Sequence, residues 1–573
     1  MIDFKKQIAR ELNDPAFGLT DEEVEGMIEI PADTSHGDYA FPCFKLARTL
    51  RKAPPLIAAD VAERIAGSPF FEKVEQVNAY VNMFLSREQV AGQVVSEVLK
   101  EKDDFGRSDV GHGKTVIVEY SSPNIAKPFH IGHIRSTVIG NAIYKLYDET
   151  GYNVVRINHL GDYGTQFGKM IVAYRMWGNH DELAKDPIKT LLGYYTRFHK
   201  EAEKDPTLDE KAREAFAKLE AGNEEEVQLW KKFRELSLKE FNRVYDMLGI
   251  TFDSYAGESF YSDKMPAVIE ELKEKGLLQE SRGAQIVDLE SMGISTPAVI
   301  QKSDGSSLYA TRDIAAAIYR KQTYDFYKCI YVVASQQNLH FQQWKAVLQL
   351  MGYDWQKDCV HVPFGLVSLP EGTMSTRNGR VVFLEDVLKT AVEKTREIIA
   401  EKNTEGIDVD EVARQVGIGA VIFQELSNNR IKDYVFDWNN VTNFDGETGP
   451  YVQYTHARAC SVLRKAGEAD LEKMRSSGAA DYGYLTSESA YQLVKDLSRV
   501  PEVIRDAAEK YEPSILTRHL VDVAQSFNKF YHDEHILVDN EDEKLAKLAL
   551  VDASRIVIKN CLGLLGIEAP ERM

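Results

Sequence analysis

Cysteine is scarce in this 573-residue chain: Cys43, Cys329, Cys359, Cys460 and Cys561, an odd number, widely spread. No Cys-x-x-Cys occurs, so neither a disulfide framework nor a cysteine zinc site is expected, and the expected compartment is the reducing cytoplasm. Long apolar runs are missing as well. No stretch approaches the roughly 18 consecutive apolar residues that mark a membrane-spanning helix. The opening Met1-Ile-Asp-Phe-Lys-Lys-Gln-Ile-Ala-Arg-Glu-Leu12 has an amphipathic helical pattern without the apolar segment of a secretory signal. Basic residues are in deficit, 69 against 89 acidic ones, for a formal net charge of −20. That sum excludes a polycation that coats nucleic acid indiscriminately, but one shaped RNA can still be held by local patches. Repeats and low-complexity tracts are absent. The remainder, 44% hydrophobic and 28% charged, is the mix of a soluble globular enzyme. Its length predicts two to four domains.

The pattern along the chain divides it in three. Residues 1–108 mix helix patterns with short strand-like runs, ending in Val77-Asn-Ala-Tyr-Val-Asn-Met-Phe-Leu85, and predict an α+β domain. Residues 109–390 predict an α/β Rossmann-like domain. Thr115-Val-Ile-Val-Glu-Tyr120 is a short β-branched strand, a helix runs from about Gly132 to Thr150, and Asn153-Val-Val-Arg-Ile-Asn158 is the next strand, so the three form a βαβ unit. Residues 189–248 are charge-rich and helical, and a helical insertion is expected over about 180–290. From about Val381 the pattern is helical throughout, so residues 391–573 predict an all-α bundle.

The chemistry points to Ser121-Ser-Pro-Asn-Ile-Ala-Lys-Pro-Phe-His-Ile-Gly-His-Ile-Arg-Ser-Thr137. This stretch joins the first strand to the first helix of the βαβ unit, where open α/β sheets bind ligands. His130 and His133 share one side of the helix's first turn. Gly132 removes a side chain, so a flat purine can approach the backbone. The helix N-terminus favours phosphate. The spacing alone also suits a metal pair, with His159 and Asp162 as further ligands.

The longer patterns narrow this. Ser122 to Thr137, His159-Leu-Gly-Asp-Tyr-Gly-Thr-Gln-Phe-Gly168, Ser303-Asp-Gly-Ser-Ser-Leu-Tyr-Ala-Thr-Arg-Asp313, Ala334-Ser-Gln-Gln-Asn-Leu-His340 and Gly446-Glu-Thr-Gly-Pro-Tyr-Val-Gln-Tyr-Thr-His-Ala-Arg458 follow one another in order. Together they resemble the arginyl-tRNA synthetase family of class I, over essentially the whole chain. The resemblance implies an arginine–tRNA ligase. It would use ATP with Mg2+ and no zinc, form arginyl-adenylate and pyrophosphate, and pass the arginyl group to tRNA(Arg). Bound tRNA would be needed even for the first step, and a monomer is expected. The domains become a tRNA-elbow-binding domain, a catalytic domain and an anticodon-binding bundle.

The same resemblance assigns residues. His130 and His133 donate to ATP, with Gly132, Met374, Ser375, Arg377 and His340 completing the nucleotide site. The family's mobile Lys-Met-Ser-Lys-Ser loop is represented by Thr373-Met-Ser-Thr-Arg377, which lacks both lysines. Lys127 is therefore read as the compensating cation, supported by Arg377. A guanidinium calls for facing carboxylates. Asp313 takes that role, with Tyr309 one turn earlier and Glu119 placed for either the α-amino group or the guanidinium. Ser122, Asn124, His133 and Gln337 hold the amino and carboxylate ends. Such a pocket rejects other amino acids without an editing domain, and none is visible.

For tRNA, the resemblance nominates Tyr80 and Asn82 at the elbow, with Asn78 on the same strand face. Tyr451, Tyr454 and Arg458 are read at the anticodon. Basic clusters at Lys45–Lys52, at Arg430 and Lys432, and around Arg464 and Lys465 accompany them. Three competing readings fare worse. A cysteinyl enzyme would need zinc ligands, a non-catalytic paralogue would have lost the histidine pair, and another nucleotidylyltransferase would not need the long helical end.

Overall fold

The computed structural model describes residues 4–31, 33–302, 309–368, 382–401, 406–441, 443, 446–476 and 481–573. The N-terminal unit packs helices α1 (Phe4–Leu12) and α2 (Pro54–Ile65) on an antiparallel sheet of β1 (Tyr39–Pro42), β2 (Phe71–Val77) and β3 (Tyr80–Leu85), in the order β1-β3-β2. Alternation along β3 sends Val81, Met83 and Leu85 inward. Asn78 does not share a strand face with Tyr80 and Asn82. It sits at φ 54° in the two-residue turn between β2 and β3, a conformation asparagine tolerates. Helix α3 (Arg87–Glu101) starts at Ser86, whose hydroxyl accepts from Gln89 N, and leads into the middle domain.

There, β4 (Thr115–Glu119), helix α4 (Gly132–Glu149) and β5 (Asn153–Ile157) form the expected βαβ unit. Gly151, at φ 84°, ends the helix. Glycine is also required inside α4. A methyl at Gly140 would stand 2.2 Å from Tyr120 Cβ, so the helix lies flat on the strand end only without it. Gly140→Ala is expected to cost about 1–3 kcal/mol by overpacking, read as a lowered denaturant midpoint. An unchanged midpoint would contradict this packing account.

The insertion brings helices α5 (Thr165–Trp177), α6 (Pro187–Ala202), α7 (Thr207–Glu220) and α8 (Glu224–Leu248). It is not helical to its end. Strands β6 (Gln279–Ser281), β7 (Ala284–Val287) and β8 (Ala298–Gln301) form a small antiparallel sheet. Arg282 and Gly283, both at positive φ, make the two-residue turn that pairs β6 with β7. Helix α9 (Tyr309–Tyr324), β9 (Lys328–Ala334), helix α10 (Asn338–Leu350) and β10 (Cys359–Phe364) complete a parallel sheet ordered β10-β9-β4-β5. The short β11 (Val367–Ser368) follows.

The remainder is helical: α11 (Leu384–Ala400), α12 (Val409–Ser427), α13 (Gly449–Ala466), α14 (Glu488–Ser498), α15 (Ser514–Asp533) and α16 (Glu541–Leu564) among others. Two expectations change here. The boundary drawn at residue 390 falls inside α11, which packs along α12 as one hairpin. The helical run is also interrupted by β12 (Tyr434–Val435), which pairs in parallel with β11 because the strand needs an edge to satisfy its backbone. One buried apolar cluster runs from Phe4 through Val116 and Ile134 to Leu562, so the three units share a core.

Arg135, on α4, fastens these parts together. It is fully buried, and its guanidinium donates to Gly365 O (2.9 Å), Lys432 O (2.8 Å) and Arg430 O (3.2 Å). Its Nε lies 3.4 Å from Glu425 of α12, whose other oxygen accepts from the Tyr434 hydroxyl. Burial pushes the Glu425 pKa up to about 8 despite Arg135. Arg430, in turn, donates to Pro363 O (2.7 Å) and Tyr511 O (2.9 Å), so it is a strut and not the RNA-facing cation read from sequence.

Candidate active site

The turn after β4 is strained. Ser121, Ser122 and Ala126 sit at φ 69°, 47° and 60°, a region that non-glycine residues enter only when the surroundings impose it. The surroundings do so here. Ser136 Oγ accepts from Ser121 N (2.9 Å), and the Ser121 hydroxyl meets those of Thr137 and Tyr245 at 2.8 Å. Ser237 Oγ of α8 accepts from Ala126 N (2.8 Å). The turn is sewn to the second motif by Ile125 N to Gly161 O and Gly161 N to Pro123 O. A methyl at Gly161 would come within 2.3 Å of Asn124 Oδ1, which explains that motif's glycine.

The His130 and His133 rings lie with centres 3.9 Å apart, tilted by 40°. Gly132 N donates to His130 Nδ1 and His130 N donates to His133 Nδ1, each at 3.1 Å. A longer 3.3 Å contact of His133 Nδ1 with His130 O needs the opposite tautomer; the N–H donor decides the assignment. Each neutral ring therefore carries its proton on Nε2. Burial, then the charge of Lys127, pulls the His130 pKa down to about 4, and burial with the His130 charge holds His133 well below the usual range. Unfolded histidines bind protons at higher pH, so the folded state loses stability as pH falls through about 6.5 toward 4. His130→Asn is expected to flatten that fall in melting temperature; an identical slope in the variant would contradict it.

A second group gathers around the C-terminal end of β4, inside the sheet. Glu119, at the end of β4, is ion-paired at 2.5 Å with Arg320 of α9, which also lies 3.3 Å from His159 Nδ1. Asp313, in the first turns of α9, meets His340 Nε2 at 2.5 Å. Burial alone would raise the Asp313 pKa, but the hydrogen bond and charge of His340, with His159 and Arg312, hold it below the ordinary value. Glu258 pairs with Arg312 at 3.2 Å, and burial raises its pKa. Tyr309 is 61% exposed, with the Arg312 guanidinium 5.7 Å from its ring. Asn124 and Gln337 are exposed and Ser122 is half-buried.

The structure thus brings together Glu119, Tyr309, Asp313 and His340, and separately the turn with Lys127, His130, Gly132 and His133. His340 is read as an ATP contact; here the first turn of α10 brings its Nε2 to Asp313. The guanidinium alternative read for Glu119 meets Arg320 already in place. Ser303–Leu308, and Met374, Ser375 and Arg377 with them, lie outside the described residues. The downstream side of that loop is stitched to the turn itself, through Ile131 N to Val382 O (3.1 Å) and Leu384 N to Phe129 O (2.9 Å). Lys127 Nζ lies 5.7 Å from the Tyr195 ring. Glu258, Arg312 and Arg320 were not read from sequence. Arg312 lies inside the Ser303–Asp313 motif, and Arg320 falls on the helical stripe of Tyr309 and Asp313.

Among the tRNA candidates, Tyr80 meets exposed Phe44 edge-on at 5.5 Å, beside the basic Lys45–Lys52 segment, while Asn82 is only 4% exposed. Tyr451 turns inward, its hydroxyl accepting from Asn528 (3.0 Å). Tyr454 and Arg458 line a pocket of about 440 Å³ with Arg464, Lys465, Tyr531 and Arg572. There the Arg458 guanidinium is 4.9 Å from the Tyr454 ring and 5.2 Å from that of Tyr531. Among the described residues, no cluster of three His, Cys, Asp or Glu side chains is arranged to hold a metal, and no helix is long and apolar enough to cross a membrane.

Three family models match in sequence. Residues 94–438 match "tRNA synthetases class I (R), catalytic domain", residues 452–573 the "DALR anticodon binding domain", and residues 3–85 the "Arginyl tRNA synthetase N terminal domain". The chain belongs to the class I arginyl-tRNA synthetases. The arginine–tRNA ligases of Clostridioides difficile and Halothermothrix orenii are 58% and 57% identical to this synthetase, with 100% of each chain covered. The arginyl-tRNA synthetase structure from Thermus thermophilus superposes with a TM-score of 0.80 at 26% identity, covering 100% of both chains. That from Plasmodium falciparum gives 0.78 at 25%, covering 100% of the synthetase and 98% of its own chain.

Proposed function

We propose that this synthetase is an arginine–tRNA ligase that activates arginine with ATP and transfers it to tRNA(Arg), the first step requiring bound tRNA. The observation that carries this reading is that the chain after β4 holds a neutral histidine pair at a helix N-terminus, while Glu119 ends that strand and Asp313 opens α9 beside the Glu258–Arg312 pair. Asp313 and Tyr309 take the guanidinium, beside the Glu258–Arg312 pair. Glu119, Ser122, Asn124 and Gln337 orient the α-amino and carboxylate ends. A carboxylate oxygen attacks the α-phosphorus of ATP and pyrophosphate leaves. His130 and His133 donate from Nε2 and Lys127 adds charge where the pentacoordinate phosphate becomes more negative, with Met374, Ser375 and Arg377 on the loop.

Gly132 leaves room for the nucleotide, and Mg2+ arrives with ATP as its counter-ion. A terminal adenosine hydroxyl of the tRNA then attacks the arginyl carbonyl and AMP leaves. Tyr80, with Asn82 buried behind it, faces the tRNA elbow, and Tyr454 and Arg458, backed by Tyr451, stack anticodon bases. The enzyme acts as a cytoplasmic monomer. Pyrophosphate exchange with each of the twenty amino acids, with and without tRNA, tests the reading. Exchange with arginine only when tRNA is present supports it; exchange with another amino acid, or none, overturns it.

A further inference from the structure

We propose that Arg320 is a positioning residue that decides which way round arginine enters the pocket. The inference rests on the ligase reading above. Arginine carries a cation at each end, and the proposed arginine site offers two carboxylates, Glu119 at the end of β4 and Asp313 on α9, Glu258 being already matched by the buried Arg312 at 3.2 Å. By charge alone the substrate fits in two senses. In the reversed sense the guanidinium sits on Glu119, and the reacting carboxylate faces away from the histidine turn.

The counter-ions already present break that symmetry. Asp313 is held by His340, whose side chain is 22% accessible and can swing aside. Glu119 is held by Arg320, whose guanidinium does not deprotonate and has no exit, its side chain being 1% accessible. The rings of Tyr261 and Tyr331 flank it, 5.7 and 5.6 Å from the guanidinium carbon. Nε and Nη1 of Arg320 make no hydrogen bond although fully buried, so its 2.5 Å contact with Glu119 is an ion pair off the hydrogen-bond line. A buried cation kept at such expense of unmade bonds is there for its charge. It occupies the seat that a substrate guanidinium would take at Glu119 and leaves the displaceable His340 to yield at Asp313. Tyr309, Asp313 and Arg320 form one stripe of α9, so one rigid helix sets both seats.

The test is steady-state aminoacylation by the full-length enzyme at saturating ATP and tRNA, with arginine varied, in wild type, Arg320→Ala and Arg320→Lys. Reversed binding is non-productive, so Arg320→Ala should lower kcat and KM together by about tenfold, leaving kcat/KM within about threefold. Millimolar guanidinium chloride should refill the gap and raise kcat. Arg320→Lys, which keeps a permanent cation, should stay near wild type. A raised KM at unchanged kcat, unaltered kinetics, or loss in both variants with a lowered melting temperature and no response to guanidinium would overturn the proposal. Wild type that fails to charge tRNA with arginine would instead overturn the ligase reading.

Discussion

Asp313→Ala is expected to lower kcat/KM for arginine by about a thousandfold. A guanidinium presents two parallel donors to a carboxylate, each charged hydrogen bond contributes about 1.5–3 kcal/mol, and the loss of about 4 kcal/mol corresponds to that factor. The loss should appear chiefly as a raised KM, because the guanidinium is remote from the reacting carboxylate. Asp313 also anchors His340, so His340→Gln serves as the control and should retain most activity. Aminoacylation with varied arginine reads both. A fall of less than about tenfold in the Asp313 variant would remove this residue from the guanidinium seat.

Lys127→Ala is expected to cut arginine-dependent pyrophosphate exchange at least about a hundredfold, close to 2.7 kcal/mol of transition-state stabilisation. The reasoning starts from two lysines missing in Thr373-Met-Ser-Thr-Arg377. A charge once supplied by that loop needs another source. Lys127 lies in the strained turn, and its charge is felt by both His130 and His133. An effect under about threefold would reassign the stabilising charge, and Arg377→Ala would then be the next variant to measure.

Local physics made the heart of this molecule readable. Thr115–Glu119 and Asn153–Ile157 are short β-branched runs, and the helix between them keeps its period from Gly132 to its closing glycine. Elements that depend on a partner were not readable. The β6–β8 sheet consists of strands three or four residues long, too short for any period to show, and β12 exists only because β11 offers an edge. In the site, the histidine pair announced itself by spacing and place. Glu258 did not, since its neighbour Arg312 is far off in the chain. The Glu119–Arg320 pair joins a strand to a helix some two hundred residues later, and such distances leave no trace in a window of sequence. Tyr451 shows the limit from the other side. Helical spacing puts it near Tyr454 and Arg458, but only the packing of Asn528 shows that it faces inward.

The Arg135 fastening bears on how such enzymes can be taken apart. Its acceptors belong to the root of the loop and to the strap after α12, while its counter-charge sits on α12 itself, a helix packed against α11, α13 and α15. A cut at residue 390 would strand the buried Arg135 guanidinium from the Glu425 carboxylate, whereas a cut between 438 and 452 keeps both with their partners. Chimaeras that graft another enzyme's helical domain onto this signature helix must therefore carry Arg135, Glu425 and the 430–432 strap as one exchangeable block.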